Sequence, residues 1–140
     1  MREVRASAPG KVNLILRAGQ PDAQGYHALV TVFECLDIRE YVSVRTAKSP
    51  GIHIETHAYA ADGSIDQGAT QLMSELDPTS HLAYRAAKVL QKLAATGPWA
   101  QTSAGVSIRV DKYIPIAGGM AGGSADAAAA LVVCNRLWEL

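Results

Sequence analysis

The stretch Pro115–Ala130, PIAGGMAGGSADAAAA, decides the fold. Four glycines, Gly118, Gly119, Gly122 and Gly123, fall within six residues of it. Just upstream, Val106, Ile108 and Val110 alternate with Ser107, Arg109 and Asp111, the period of a β-strand. Just downstream, the alanine run continues through LVVCNRLWEL as a helix to Leu140. A glycine-rich turn between strand and helix lets backbone N–H groups approach a ligand, because glycine admits positive φ and has no side chain. The helix behind it adds unpaired first-turn N–H groups and the positive end of its dipole. Such a turn suits an anion, phosphate above all. Ser124 is placed to act as N-cap or as a hydroxyl donor to a phosphate or its metal. The alternative is a turn that only lets helix and sheet pack closely. Neither common phosphate loop fits. Gly123 is followed by Ser124-Ala125 rather than Lys-Ser/Thr, and the paired glycines miss the spacing of the dinucleotide fingerprint.

Outward from the loop, the pattern predicts strands over Val12–Arg17, Leu29–Ile38, Tyr41–Arg45 and Gly51–Thr56. Gly19–Gly25, GQPDAQG, reads as a turn. Ala58–Asp77 mixes small and polar residues and reads as an irregular excursion. A helix starts near Thr79 or Ser80, each a good N-cap. Leu82, Ala86, Val89, Leu90 and Leu93 make its apolar face, and Gly97-Pro98 ends it. Four strands before the first helix favour a meander over a βαβ series. The fold class is therefore α+β: a mixed or antiparallel sheet with helices packed on one face. On the last helix, Leu131, Cys134, Leu137 and Trp138 form an apolar stripe that needs a surface to pack on, either the sheet or a second copy of the chain.

A chain of 140 residues suits one domain. Lys and Arg total 13 and Asp and Glu total 13, so the net charge is zero. That balance argues against a nucleic-acid partner held by bulk electrostatics. Cys35 and Cys134 sit in apolar runs and read as buried free thiols, which suits a reducing compartment. No stretch is apolar enough for a signal sequence or a membrane span, so the reading is a cytoplasmic protein without a membrane partner. His53, Glu55 and His57 share the solvent face of a strand and lack helical zinc spacing. His81 reads as structural at its helix start. Asp126 reads as a capping carboxylate in the first helical turn. Lys112, just before the loop, is in reach of whatever the loop holds.

Three motifs in order, Pro9-Gly10-Lys11-Val12-Asn13-Leu14, Gly25-Tyr26-His27 and the glycine loop, resemble the GHMP small-molecule kinases. The likeness covers nearly the whole chain except residues 58–77. Within the family, Gly-Tyr-His points to members that use ATP and Mg²⁺ to phosphorylate a hydroxyl of a cytidine diphosphate–polyol for isoprenoid precursors. The resemblance implies an N-terminal, ATP-binding domain over residues 1–140. Its loop, Pro115, Ile116, Ala117, Gly118, Gly119, Met120, Ala121, Gly122, Gly123, Ser124 and Ala125, would wrap the ATP phosphates. Ser124 would also lie near Mg²⁺. Lys11 would serve catalysis beside the acceptor hydroxyl and the transferred phosphoryl group. Asn13 would hold the substrate, Tyr26 would stack on the cytosine, and His27 would hydrogen-bond its edge.

The sequence also departs from the family pattern. Ala117 and Ala121 stand where the family has glycine, which a loop tolerates where φ is negative. Gln24 replaces an aspartate, and Gly10 stands where alanine is usual. The family's catalytic aspartate lies in a Gly-x-Asp-x-Pro segment that is not in these residues, and neither is the second domain. The resemblance thus implies the N-terminal part of a kinase, inactive on its own. Two other functions compete: a GHMP kinase for a smaller substrate, or a non-catalytic nucleotide-binding or interaction fragment.

Overall fold

The structure is a computed structural model that describes residues 2–140. Its strands are β1 (Glu3–Pro21), β2 (His27–Thr46), β3 (Gly51–Ala58) and β4 (Gly105–Lys112). Its helices are α1 (Gln67–Glu75), α2 (Leu82–Ala94), α3 (Ala100–Ser103) and α4 (Gly122–Trp138), with a 3₁₀ turn at Pro78–Ser80. The sheet order is β1-β2-β4-β3. β1 and β4 flank β2 antiparallel, while β3 pairs parallel to β4. The sheet is mixed, as the sequence predicts. The meander is not what forms, because parallel neighbours need a crossover, and α1, α2 and α3 supply it between β3 and β4.

Strand period explains the core. Val42 and Val44 on β2 and Val106, Ile108 and Val110 on β4 are fully buried under the helices. The alternate residues Ser43, Arg45, Ser107 and Arg109 lie on the opposite, polar face. α4 lays Ala129, Ala130, Val133, Cys134, Leu137 and Trp138 on this core. Three of the four residues in its predicted stripe are thus consumed by the chain's own sheet, and Leu131 stays exposed.

Several elements differ from expectation. Leu29–Ile38 and Tyr41–Arg45 belong to one strand, because Asp37, Arg39 and Glu40 interrupt the apolar run without breaking the backbone. β1 begins at Glu3, well before Val12, and the turn shrinks to residues 22–26. The excursion Ala58–Asp77 contains α1, capped by Asp66, whose side chain accepts from the Ala69 N–H at 2.9 Å. α2 is capped by His81 rather than by Thr79 or Ser80. It buries Ala83, Ala87, Gln91 and Ala94 and leaves Val89 65% and Leu93 61% exposed. Small residues win because α2 packs on the alanine-rich α4, where short side chains let two helices come close. Cys35 is exposed; only Cys134 is buried. No helix among the described residues is long and apolar enough to cross a membrane.

Candidate active site

The loop leaves β4 at Tyr113 and enters α4 at Gly122. Gly119 takes φ +73°, Ala117 +59° and Ala121 +61°. The two alanines therefore occupy left-handed positions, not the negative-φ positions the sequence reading assigned to them. Ala121 is the N-cap of α4, and no side chain caps this helix. Ser124 is not the N-cap; it lies exposed in the first turn. The first-turn N–H groups are thus left for an acceptor from outside. A cleft of about 350 Å³ opens here, lined by Pro115–Gly123, His81, Met73, Leu76, Lys112 and Asp126.

β1 runs beside the loop. The Lys11 N–H donates to the Met120 carbonyl at 3.1 Å. Gly10 permits this approach, since a Cβ there would sit 3.1 Å from Ile114 Cδ1 and 3.4 Å from the Met120 oxygen. Register shifts at Pro9/Lys11 and Asn13/Ile15 flank Lys11 and Asn13, and bulges of this kind re-aim side chains. The Lys11 ammonium donates to Asn13 Oδ1 at 2.5 Å and to the Gly119 carbonyl at 3.0 Å. It also lies 5.7 Å from the centre of the Phe33 ring. Asn13 Nδ2 in turn donates to Thr31 Oγ1 at 2.7 Å. The fold thus brings the neighbours Lys11 and Asn13 to a loop that lies far from them in sequence.

Tyr26 and His27 are held elsewhere, at the tip of the β1–β2 hairpin, with no hydrogen bond to the loop among the described residues. Tyr26 is 77% exposed. His27 Nδ1 lies 2.7 Å from the Gly19 carbonyl. A carbonyl only accepts, so Nδ1 donates in this contact, and in that tautomer of the imidazole Nε2 is an acceptor. Asp22 shapes the tip, accepting from the N–H groups of Gln24 and Tyr26 at 2.9 Å.

The sequence reading missed a buried charge cluster below the loop. Lys112 Nζ donates to Glu40 Oε1 at 2.7 Å and to Asp126 Oδ2 at 2.8 Å. Glu40 Oε2 accepts from the Tyr113 N–H at 2.8 Å. Asp126 is therefore a partner of Lys112 and not a helix cap; its Oδ1 is buried without a partner among the described residues. Burial raises the Glu40 pKa against the pull of Lys112. Burial alone would lower that of Lys112, but Asp126 and Glu40 outweigh it and the net shift is upward. A signal was present. Glu40 precedes Val42 and Val44 by one strand period, and Lys112 follows Ile108 and Val110 in the same way. Both charges had to face the core.

The comparisons with known proteins agree with this geometry. A family model described as the GHMP kinases N terminal domain matches residues 81–140. The chain is 44% identical over 140 residues to a Kineococcus radiotolerans protein named 4-diphosphocytidyl-2-C-methyl-D-erythritol kinase. It is 41% identical over 137 residues to a Mycobacterium tuberculosis protein of the same name. These matches cover 100% and 98% of this chain, but 38% and 37% of the relatives. A crystal structure of 4-(cytidine 5′-diphospho)-2C-methyl-D-erythritol kinase superposes with a TM-score of 0.65 at 31% identity. That match covers 96% of this chain and 41% of the other. The chain thus spans less than half the length of the proteins it matches.

Proposed function

We propose, from the match of residues 81–140 to the GHMP kinases N terminal domain and the likeness to the relatives above, that the chain is the N-terminal domain of a GHMP kinase and serves an ATP-dependent kinase. Its acceptor is a hydroxyl of 4-diphosphocytidyl-2-C-methyl-D-erythritol, the compound after which its relatives are named. Such kinases make isoprenoid precursors. The observation that carries this reading is the meeting of Lys11 with the rim of the glycine loop, at 3.0 Å from the Gly119 carbonyl. A cation at the edge of an anion cradle is what phosphoryl transfer asks for, since the protein's work there is positioning and charge neutralisation.

ATP fits the residues present. The uncapped first turn of α4 offers N–H groups to phosphate. A cleft of about 350 Å³ lies within the usual range for small ligands. The unpartnered Asp126 Oδ1 favours a hydrogen-bond donor or a cation nearby. Among the described residues no group of three His, Cys, Asp or Glu side chains gathers to hold a metal. A Mg²⁺ bound mostly by phosphates and water needs no such cage, and the resemblance makes the Ser124 hydroxyl the side chain that would lie near it. When bound, ATP and Mg²⁺ supply the phosphoryl group and part of its charge compensation. Lys11 supplies the rest, with Asn13 fixing the ammonium and the acceptor side of the substrate.

Tyr26 and His27 would grip the far end of the substrate. A nucleoside diphosphate–polyol is elongated, with its base and its acceptor hydroxyl at opposite ends, which suits separate tip and loop sites. Stacking of the base on Tyr26 contributes about 1–3 kcal/mol and does not choose between bases. His27 Nε2 makes the choice. Cytosine offers an amino donor to that acceptor, whereas uracil offers a carbonyl oxygen. The general base that the resemblance implies is not among these residues, so binding is the direct test. Calorimetric titration is expected to show CMP binding that exceeds UMP binding and is lost in Tyr26→Ala. Equal binding of CMP and UMP would overturn the cytidine assignment.

A further inference from the structure

Glu40 does not itself line the cleft, yet it is fully buried and ionisable in the middle of the fold. Apolar residues of similar volume would fill such a place as stably or more so. What distinguishes Glu40 is where its two oxygens go. Oε2 takes the Tyr113 N–H, at the point where the chain leaves the sheet for the loop. Oε1 takes Lys112 Nζ, which also binds Asp126 on the first turns of α4, where the loop ends. One carboxylate thus ties down both ends of the loop.

The loop also rests on this cluster. A Cβ on Gly122 would lie 2.9 Å from Glu40 Oε1 and 3.2 Å from Lys112 Nζ. Ala8, the Cα partner of Glu40 across the sheet, stands just before the Gly10–Lys11 approach to the loop. Both carboxylates bind Lys112, so two of its three ammonium N–H groups are already committed beneath the loop. A cluster of two acids and one base cannot itself attract an anion.

We propose that Glu40 is a positioning residue for the bound phosphates: through Lys112 and the Tyr113 N–H it fixes the loop between β4 and α4. The inference rests on the reading of the loop as the ATP site. Glu40→Gln keeps the shape but leaves only one acceptor oxygen for two donors. Asp126→Asn keeps an oxygen for Lys112 and weakens only the helix end of the brace.

Calorimetric titration of the folded chain with ATP and, separately, with CMP tests this, with melting temperature measured alongside. Glu40→Gln is expected to weaken ATP binding about 10- to 100-fold, the scale of an ångström-sized misplacement. CMP binding at the hairpin tip stays unchanged. Asp126→Asn is expected to weaken ATP binding by less, again without changing CMP binding, and it carries the test should Glu40→Gln not fold. Wild-type chain that fails to bind ATP would sink the reading of the loop. Wild-type binding with ATP affinity unchanged in both variants would sink only the role of Glu40. ATP and CMP affinities that fall together would also overturn it, by showing a general structural part.

Discussion

Ala121 and Ala117 hold left-handed backbone without glycine's freedom. That conformation costs an ordinary residue about 1–2 kcal/mol, and glycine would lose part of this gain through its more flexible unfolded chain. Ala121→Gly is therefore expected to stabilise the domain by roughly 1 kcal/mol, a rise of about 2–4 °C in melting temperature at this size. Calorimetry checks it. The alanines were legible in the sequence, but their φ was not, because a glycine loop gives no sign of which positions turn left-handed. His81 is the opposite case, a residue recognised as structural whose part the structure explains. Its Nδ1 accepts from the Ala83 N–H at 3.1 Å, capping α2. Burial lowers its pKa from the ordinary 6.5. The folded state therefore prefers the neutral ring, and the unfolded chain takes up a proton first as pH falls. His81's contribution is complete above about pH 6.5 and is lost as pH drops through the lowered value. His81→Asn, which keeps a capping side chain, is expected to flatten the fall in melting temperature below pH 6.5.

At the scale of elements, alternation and turn chemistry were good guides to type and poor guides to extent. β4, α4 and the loop between them stood where the sequence put them. The pattern predicts two strands, Leu29–Ile38 and Tyr41–Arg45, where β2 runs as one through Asp37, Arg39 and Glu40. The larger apolar residues of α2 predict its buried face, whereas close packing on α4 selects its alanines. Gly105 marks an element boundary that only the packing reveals. A Cβ there would lie 2.3 Å from the Ser49 carbonyl oxygen and 2.6 Å from that of Ala47. The backbone at that site also accepts from the Ala47 N–H at 3.0 Å, fixing the β2–β3 connection against β4. Gly105→Ala is expected to cost about 1–3 kcal/mol or more, as overpacking against immobile backbone does. Urea unfolding checks this through the midpoint.

Across the whole molecule, the resemblance of the three motifs to the GHMP kinases implies a lysine beside the glycine loop's ligand, and the structure places Lys11 at the loop. The parallel placement of β3 was not legible, since local pattern does not fix strand order. Nor was the exposure of the outer hairpin, where Leu14, Leu16, Val30 and Phe33 stand clear of the helices. We propose that the chain carries two separate sites, a phosphate cradle before α4 and a base-reading tip between β1 and β2. A competition titration tests it most directly: ATP is titrated into chain saturated with CMP, and CMP into chain saturated with ATP. Each nucleotide is expected to bind in the presence of the other, with Tyr26→Ala abolishing only the CMP response. Mutual displacement from a single site, or loss of both responses in Tyr26→Ala, would contradict it.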